Sequence, residues 1–282
     1  MKILVTAGNT QTLIDHVRCI TNVFSGRTGA QIAAEAFERG HAVTLLTSHP
    51  EVLETVRALK PRRAPDWRVH RYRTFEELES LMTATITGDG YDVVVHAAAV
   101  SDYEVAGIYA PTAGTRFDPS EMAWTAPEGS PRLVDTTAGK VSSHHPELWL
   151  RLQPAPKLVD KIRSAWRFGG LLVKFKLEVG VNNADLLDIA ERSRRQSGAD
   201  LMVANTLEGM HDWAYLGPGH CGYERVPRGE LPERLIEIIA PKRGASLGLL
   251  PSMEDTPRSY FREVLPGGVP RPPESESSAL FD

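Results

Sequence analysis

The chain opens on a strand, a glycine turn and a helix that begins behind glycines, and this order constrains the fold more than any other feature. Ile3-Leu4-Val5-Thr6 is a short apolar run, turned by Ala7-Gly8-Asn9-Thr10. After a longer loop, Asn22-Val23-Phe24-Ser25-Gly26-Arg27-Thr28-Gly29 leads into a helical run from Ala30 to Arg39. Ile32, Ala33, Ala36 and Phe37 of that run share one face. Two glycines three apart at a helix start let backbone N–H groups approach a ligand closely. The helix N-terminus behind them carries partial positive charge. Together they predict an anion site, most often for phosphate. The plainer alternative is a tight connection that only needs small residues.

The common glycine fingerprints do not fit. A dinucleotide site carries G-x-G-x-x-G in its first strand-to-helix turn. A P-loop carries G-x-x-x-x-G-K-[ST]. Here Gly8-Asn9-Thr10 ends the strand, and a long loop with Asp15, Arg18 and Asn22 precedes Gly26. Neither a plain NAD fold nor a P-loop is implied.

Strand and helix alternate through the first half. Ala42–Thr47 reads as a strand after a helix stop at Gly40, and Val69–Tyr72 as another. Thr74–Thr85 reads as a helix through Phe75, Leu78, Leu81 and Met82. Asp92–Ala97 is an apolar run of the kind buried in a parallel sheet. The pattern predicts an α/β fold, a modified Rossmann-like, doubly wound and mostly parallel sheet. From Gly107 to Lys140 the character changes, with Pro111, Gly114, Pro119, Pro127, Gly129, Pro131 and Gly139 and little periodicity. A long irregular excursion is predicted there, and such loops are often functional. Beyond it, Leu148–Leu152 reads as a strand and Pro156–Trp166 as a helix with a proline in its first turn. Leu171–Leu177 and Leu201–Ala204 read as strands, Ala184–Gln196 and Leu231–Ile239 as helices. Residues 1–243 are predicted to form the α/β domain. Residues 244–282, rich in Pro, Gly, Ser and Glu, are predicted to be a disordered tail, because they bury too little apolar surface to offset chain entropy.

Composition narrows the function classes. Hydrophobic residues are 41% and charged ones 24% of the chain, with a net charge of -4. That is an ordinary globular mix with no bulk affinity for nucleic acid. No apolar run reaches the roughly 18 residues that span a bilayer. Met1-Lys2-Ile3-Leu4 runs straight into a strand, without the apolar core of a signal peptide. Cys19 and Cys221 match no disulfide framework or metal spacing. A cytoplasmic protein with reduced thiols is expected, with neither nucleic acid nor membrane as partner.

Four constellations are candidates for chemistry. The first is Gly8, Thr10, Arg18, Asn22, Ser25-Gly26 and Gly29, which combines phosphate donors, a cation and a side-chain amide. Asn22 is a neutral donor suited to charge on a reacting acyl or phosphoryl oxygen; it could equally brace its loop. The second is Ala97-Ala98-Ala99-Val100-Ser101-Asp102-Tyr103 at the carboxyl end of a central strand, where open α/β sheets bind ligands. Its plainer reading is a helix cap. The third is Gly139-Lys140-Val141-Ser142-Ser143, where a lysine in a Gly/Ser setting suits a triphosphate or simply the surface. The fourth is Ala199-Asp200-Leu201-Met202-Val203-Ala204-Asn205, a strand ending at a polar residue. His144-His145 and His211 lack ligand spacing, and no Ser-His-Asp arrangement is evident.

In this order, the segments resemble phosphopantothenoylcysteine synthetase, the phosphopantothenate–cysteine ligase family, over roughly Met1 to Ala240. The residues that carry the resemblance are Val5-Thr6-Ala7-Gly8, Asp15, Val17-Arg18, Thr21-Asn22, Ser25-Gly26, Gly29 and the second to fourth constellations, with Pro156-Lys157-Leu158-Val159 and Phe175-Lys176-Leu177. Lys-Val-Ser-Ser and Pro-Lys look most like the stand-alone bacterial type. Asn9, Phe24, Lys174 and Thr206 depart from the family pattern, which has glycine, a hydroxyl residue, glycine and aspartate at those places.

The resemblance implies a ligase of coenzyme A biosynthesis. It would join 4'-phosphopantothenate and L-cysteine through an acyl-nucleotidyl intermediate, with CTP or ATP as co-substrate and magnesium travelling with the nucleotide. It implies Asn22, Lys140 and Asp102 as the catalytic set. Gly8, Gly26 and Gly29 would hold the substrate phosphate, with Ala98 and Asn205 also beside the substrate. Ala97, Ala98, Asp102, Lys140, Pro156, Lys157, Leu158, Val159 and Phe175 would surround the nucleotide. Arg18 would reach the neighbouring subunit's site, implying a homodimer. The alternative is a relative that binds a nucleotide or phosphorylated metabolite without ligation, as Phe24 and Lys174 suggest. A Rossmann-type oxidoreductase would need a glycine fingerprint at Thr6–Thr10 and a Tyr-x-x-x-Lys pair, and neither is present.

Overall fold

The computed structural model describes residues 1–56 and 66–240. The predicted tail at 244–282 lies outside them. The chain begins with β1 (Lys2–Ala7), a short hairpin of β2 (Gln11–Leu13) and β3 (Cys19–Thr21), and α1 (Arg27–Glu38). β4 (Ala42–Thr47), β5 (Trp67–Arg71), α2 (Phe75–Gly88) and β6 (Val93–His96) follow. Strands β7 (Tyr103–Pro111), β8 (Arg116–Asp118), β9 (Ala123–Thr125), β10 (Leu133–Asp135) and β11 (Trp149–Pro154) form the middle of the chain. The last part holds α3 (Leu158–Ser164), β12 (Leu171–Glu178), α4 (Asn183–Gln196), β13 (Leu201–Thr206), β14 (Trp213–Gly219), β15 (Gly222–Pro227) and α5 (Leu231–Ile239).

An eight-stranded sheet in the order β15-β14-β13-β12-β6-β1-β4-β5 is the centre of the molecule. The strands from β13 to β5 are parallel, while β14 and β15 add an antiparallel edge. The parallel strands follow the doubly wound order, with sequence order reversing between β1 and β6. Alternation within β1 divides the core. Ile3, Val5 and Ala7 pack with Ile32, Ala33, Ala36, Leu231 and Leu235 of α1 and α5. Leu4 points to the other face, among Leu78 and Met82 of α2 and Leu158 and Ile162 of α3. Residues i and i+2 of a strand share a face, so one strand serves both layers. α4 covers β13 on the Met202 and Ala204 side through Leu186 and Ala190.

Two helices carry side-chain caps. Thr74 and Glu77 close a capping box on α2, with Glu77 N donating to Thr74 Oγ1 at 3.3 Å and Thr74 N to Glu77 Oε2 at 3.3 Å. Asn182 caps α4 by accepting from Asp185 N at 3.0 Å. α1 has no such cap. It starts at Arg27, three residues earlier than its apolar face suggests, behind Gly26 in the left-handed region.

Three expectations need correction. The region from Gly107 to Lys140 is not an irregular excursion throughout. β7 pairs antiparallel with β11 and β10, and β8 with β9. Gly107 is a seat for a ring rather than a break, since a Cβ there would lie 2.6–2.8 Å from Tyr109 ring atoms. Phe117, Trp124 and Trp149 form a compact aromatic cluster on this lobe, with ring centroids 4.7–5.4 Å apart. Second, α3 starts at Leu158 behind Lys157, so Pro156 stands outside the helix rather than in its first turn. Third, the sequence pattern leaves out the β14–β15 hairpin; its strands include Pro218 and Gly219, and Gly222 sits at φ 90°.

Candidate functional site

The reversal of strand order opens a crevice position at the carboxyl ends of β1 and β6. Beyond those ends the two chains continue side by side. Ala99 N donates to Gly8 O at 2.8 Å, and Thr10 N donates to Ala99 O at 3.3 Å. Ala97, Ala98 and Ala99 therefore lie against the Gly8 turn, as their small side chains allow. Ser101 N donates to Thr10 Oγ1 at 2.8 Å and extends the join.

Gly26 reaches this turn by backbone contact. Gly8 and Gly26 sit at φ 89° and 79°. A Cβ on Gly26 would lie 2.2 Å from Gly8 N and 2.7 Å from Gly8 Cα. Only glycine at this position lets the two loops touch. Gly29 has a different geometric reason. Its Cβ would lie 2.7 Å from Ala7 Cβ, so its bareness seats α1 on β1. The first turn of α1 holds no acidic residue and no side-chain cap. Its leading N–H groups thus retain their affinity for an anion.

Asn22 and Asn9 are joined here. Asn22 Nδ2 donates to Ala99 O at 3.1 Å, bridging the loop to the β6 extension. Asn9 Nδ2 donates to Asn22 O at 2.5 Å, and Asn9 accepts from Ser48 Oγ at 3.1 Å. Asn9 takes no left-handed backbone; among described residues only Met122 and Arg167 do so without being glycine. Asn9, where the resemblance implies glycine, acts through its side chain, as a brace beneath Asn22.

Arg228 is a contributor the sequence pattern did not mark. From the loop between β15 and α5 its Nη2 donates to Thr28 Oγ1 at 2.5 Å, on the first turn of α1. Its Nη1 is buried without a hydrogen-bond partner. Burial pushes its pKa down, and among the described residues no carboxylate pairs with it. Nothing in the local sequence, Val226-Pro227-Arg228-Gly229, separates it from a surface arginine.

Arg18 and Lys140 meet at a second place. Together with Ser142, Ser143 and His144 they line a recess of about 310 Å³. Arg18 Nη2 reaches Asp15 Oδ2 at 2.6 Å and Val141 O at 3.0 Å, so its guanidinium is bound within its own chain.

The remaining candidates are dispersed. Asp102 is exposed, and its carbonyl accepts from Ala155 N at 2.8 Å beside the start of α3. Leu158 and Val159 are buried in the core with Leu4 and Leu172, so their side chains are not available to line a nucleotide pocket. That part of the expected pocket reduces to Pro156, Lys157 and backbone. Phe175 packs half-buried against the α1 and α5 side of the core. Asn205 ends β13 as a buried side chain, donating only to Thr206 O at 3.3 Å.

His96 and Lys174 lie beneath the crevice on neighbouring strands. His96 Nδ1 pairs with Thr6 Oγ1 at 2.9 Å. Burial, reinforced by Lys174, pushes its pKa down to about 4, so the ring is neutral. Lys174 stands where the resemblance implies glycine. Its ammonium donates to Ser193 O at 3.1 Å and Ser197 Oγ at 3.3 Å, at the end of α4. A cation there suits the negative end of the helix dipole.

Comparison with known proteins bears on the family and the fold. A family model described as the DNA/pantothenate metabolism flavoprotein C-terminal domain matches residues 1–111. The coenzyme A biosynthesis bifunctional protein CoaBC of Thermococcus kodakarensis is 33% identical over 84% of this chain and 50% of its own length. CoaBC of Mycobacterium tuberculosis is 30% identical over 73% of this chain and 42% of its own. The chain spans about half or less of these curated relatives. The solved DNA/pantothenate metabolism flavoprotein from Streptococcus pneumoniae superposes with a TM-score of 0.64 at 29% identity. That match covers 84% of this chain and 97% of the other. In sequence order, sheet topology and similarity to solved structures, the chain belongs to the phosphopantothenoylcysteine synthetase family.

Proposed function

We propose that this protein is a phosphopantothenate–cysteine ligase of coenzyme A biosynthesis. In the first step the carboxylate of 4'-phosphopantothenate attacks the α-phosphate of CTP or ATP. An acyl-nucleotidyl intermediate forms and pyrophosphate leaves. In the second step the amine of L-cysteine attacks the acyl carbon, an amide forms, the amine loses a proton and the nucleoside monophosphate leaves. Both steps need positioning and charge stabilisation more than an activated side chain. The crevice offers that: glycine backbone, a helix N-terminus and a braced amide.

The observation that carries this reading is the placement of Asn22. Its amide is tied to the β6 extension at Ala99 and its backbone to Asn9, directly beside the Gly8–Gly26 contact. In the proposed site the α1 N-terminus takes the substrate phosphate, and Asn22 takes the activated acyl group. Lys140 takes the nucleotide phosphates, and Arg18 reaches the neighbouring subunit's site. Among the described residues no group of His, Cys, Asp and Glu is arranged to hold a metal. Magnesium, which dehydrates reluctantly and commonly binds through substrate phosphates, is proposed as part of the nucleotide co-substrate. The homodimer and the cytoplasmic location belong to the same proposal; among the described residues no helix is long and apolar enough to cross a membrane.

Binding without ligation is the competing reading. It draws on Phe24, which replaces a hydroxyl donor in the glycine loop. Release of pyrophosphate from CTP or ATP in the presence of phosphopantothenate tests the first step. Its absence with both nucleotides favours the binding-only reading.

A further inference from the structure

Asn9 and Ser48 are polar residues buried just beyond the carboxyl ends of β1 and β4. A buried amide or hydroxyl needs hydrogen-bond partners, and these two find them in each other. Ser48 Oγ accepts from Asn9 N at 2.9 Å and donates to Asn9 Oδ1 at 3.1 Å. With Oδ1 engaged, the other end of the Asn9 amide is free to donate, and Nδ2 donates to Asn22 O at 2.5 Å. A flipped amide would set Oδ1 against Asn22 O, acceptor against acceptor. Ser48 therefore decides which end of Asn9 meets the Asn22 loop. The bareness of Gly8 leaves room for this hydroxyl, since a Cβ there would lie 2.1 Å from Ser48 Oγ.

The contacts continue past Asn22. Its own Nδ2 donates to Ala99 O at 3.1 Å, and Asn9 bridges to Ala99 in parallel register. Ser48, Asn9, Asn22 and Ala99 thus tie the carboxyl ends of β4, β1 and β6, three neighbours in the sheet, to one loop residue. Asn22 needs the tie, because it stands between β3 and α1 with no regular structure of its own. Apart from Asn9, its carbonyl meets only Thr21 Oγ1, at 3.4 Å, among the described residues. Glycine at position 9, which the resemblance implies, could make none of the Asn9 side-chain contacts.

We propose that Asn9 and Ser48 are positioning residues that hold Asn22 in place for the second half-reaction, the attack of an amine on the activated acyl group. The inference rests on the ligase reading in taking Asn22 to meet that group. Neither residue touches substrate. Both act by fixing the Asn22 backbone before the substrate arrives, so that its amide costs no reordering during reaction. In aminolysis the C–N bond forms, the acyl C–O bond to phosphate breaks and the amine loses a proton. If the acyl group is held loosely, water takes the amine's place and returns phosphopantothenate and the nucleoside monophosphate.

The test follows amide and pyrophosphate together in the full chain, with hydrogen exchange of the segment carrying Asn22 as a second readout. Asn9→Gly removes the brace, and Ser48→Ala leaves Asn9 in place but unoriented. Each is expected to lower the amide formed per pyrophosphate released about tenfold, less than the roughly 100–1000-fold that follows loss of a preorganised donor itself. The KM values for phosphopantothenate and nucleotide stay in place, a split that general loosening of the fold would not produce. The double variant is expected to be no worse than Asn9→Gly, because Ser48 acts only through Asn9. Exchange around Asn22 is expected to speed up in both single variants. If Asn9→Gly does not fold, Ser48→Ala carries the test. A wild-type ratio in either folded single variant overturns the proposal, as does a loss that multiplies in the double variant. Wild-type protein that releases no pyrophosphate with either nucleotide removes the ligase reading; the brace then stands if exchange around Asn22 speeds up in the variants and falls if it does not.

Discussion

Asn22 and Arg228 show how differently single residues declare themselves. Asn22 stands in a loop whose glycines already mark a ligand approach, and the structure places its amide against Ala99 O. A preorganised donor of this kind is worth about 100–1000-fold in turnover. Asn22→Asp keeps the shape and sets a negative charge against phosphoryl oxygens. It is predicted to fold and to retain part of the pyrophosphate release while losing amide formation; equal, near-wild-type rates of both would remove Asn22 from the mechanism. Arg228 is legible only in three dimensions, because its Nη1 is buried without an acceptor after the chain has returned 200 residues later to α1. A buried charge that no opposite charge offsets costs folding free energy. Arg228→Met is therefore predicted to leave the melting temperature unchanged or raised. A fall of more than about 4 °C, on the order of 1–2 kcal/mol, would show that the Thr28 contact dominates.

At the scale of elements, the strands of the parallel sheet are legible because both their faces are buried. Val93–His96 and Leu201–Thr206 are buried along their whole lengths, and Val93–Val95 and Leu201–Ala204 within them are continuous apolar runs. α1 is legible in its body but not at its start. Its first turn, Arg27-Thr28-Gly29, has no cap residue and no apolar face, and the backbone contact of Gly26 with Gly8 sets its beginning. The β7 to β10 part of the lobe is illegible for a related reason, whereas β11 is legible from Leu148–Leu152. Strands β7 to β10 are short or half-exposed and Gly107, which reads as a break, seats the Tyr109 ring, so neither periodicity nor turn chemistry separates this part from a loop. α2, by contrast, is legible from Phe75, Leu78, Leu81 and Met82, and Thr74 and Glu77 cap it. Thr74→Ala is predicted to lower stability by about 1 kcal/mol through the lost cap. Denaturant unfolding measures this, and an unchanged midpoint would mean that α2 is held by Leu78, Met82 and Ile86 alone.

At the scale of the whole molecule, the strand reversal between β1 and β6 brings together segments that are separate in sequence: the Gly8 turn, the Asn22–Gly29 loop and the Ala97–Ala99 exit. The sequence shows each piece; the tertiary fold decides which pieces meet. Leu158 and Val159 go to the core, whereas Arg18 and Lys140 share a recess. The same central sheet makes stability depend on pH. Burial pushes the His96 pKa down to about 4 from the ordinary histidine value of 6.5, so the unfolded chain binds a proton that the folded chain excludes. The contribution of this one group to stability is complete above pH 6.5 and is lost as pH drops towards 4, with a slope of up to about 1.4 kcal/mol per pH unit. His96→Gln is predicted to flatten this slope, and an unaltered slope would show that other groups cause it.

The central claim is tested most directly by following pyrophosphate and amide in one sample of the full chain with 4'-phosphopantothenate, L-cysteine and either CTP or ATP. The account predicts pyrophosphate release with at least one nucleotide only when phosphopantothenate is present. It predicts amide only when cysteine is also present, in equal amount to the pyrophosphate. No pyrophosphate above the phosphopantothenate-free control with either nucleotide would contradict it.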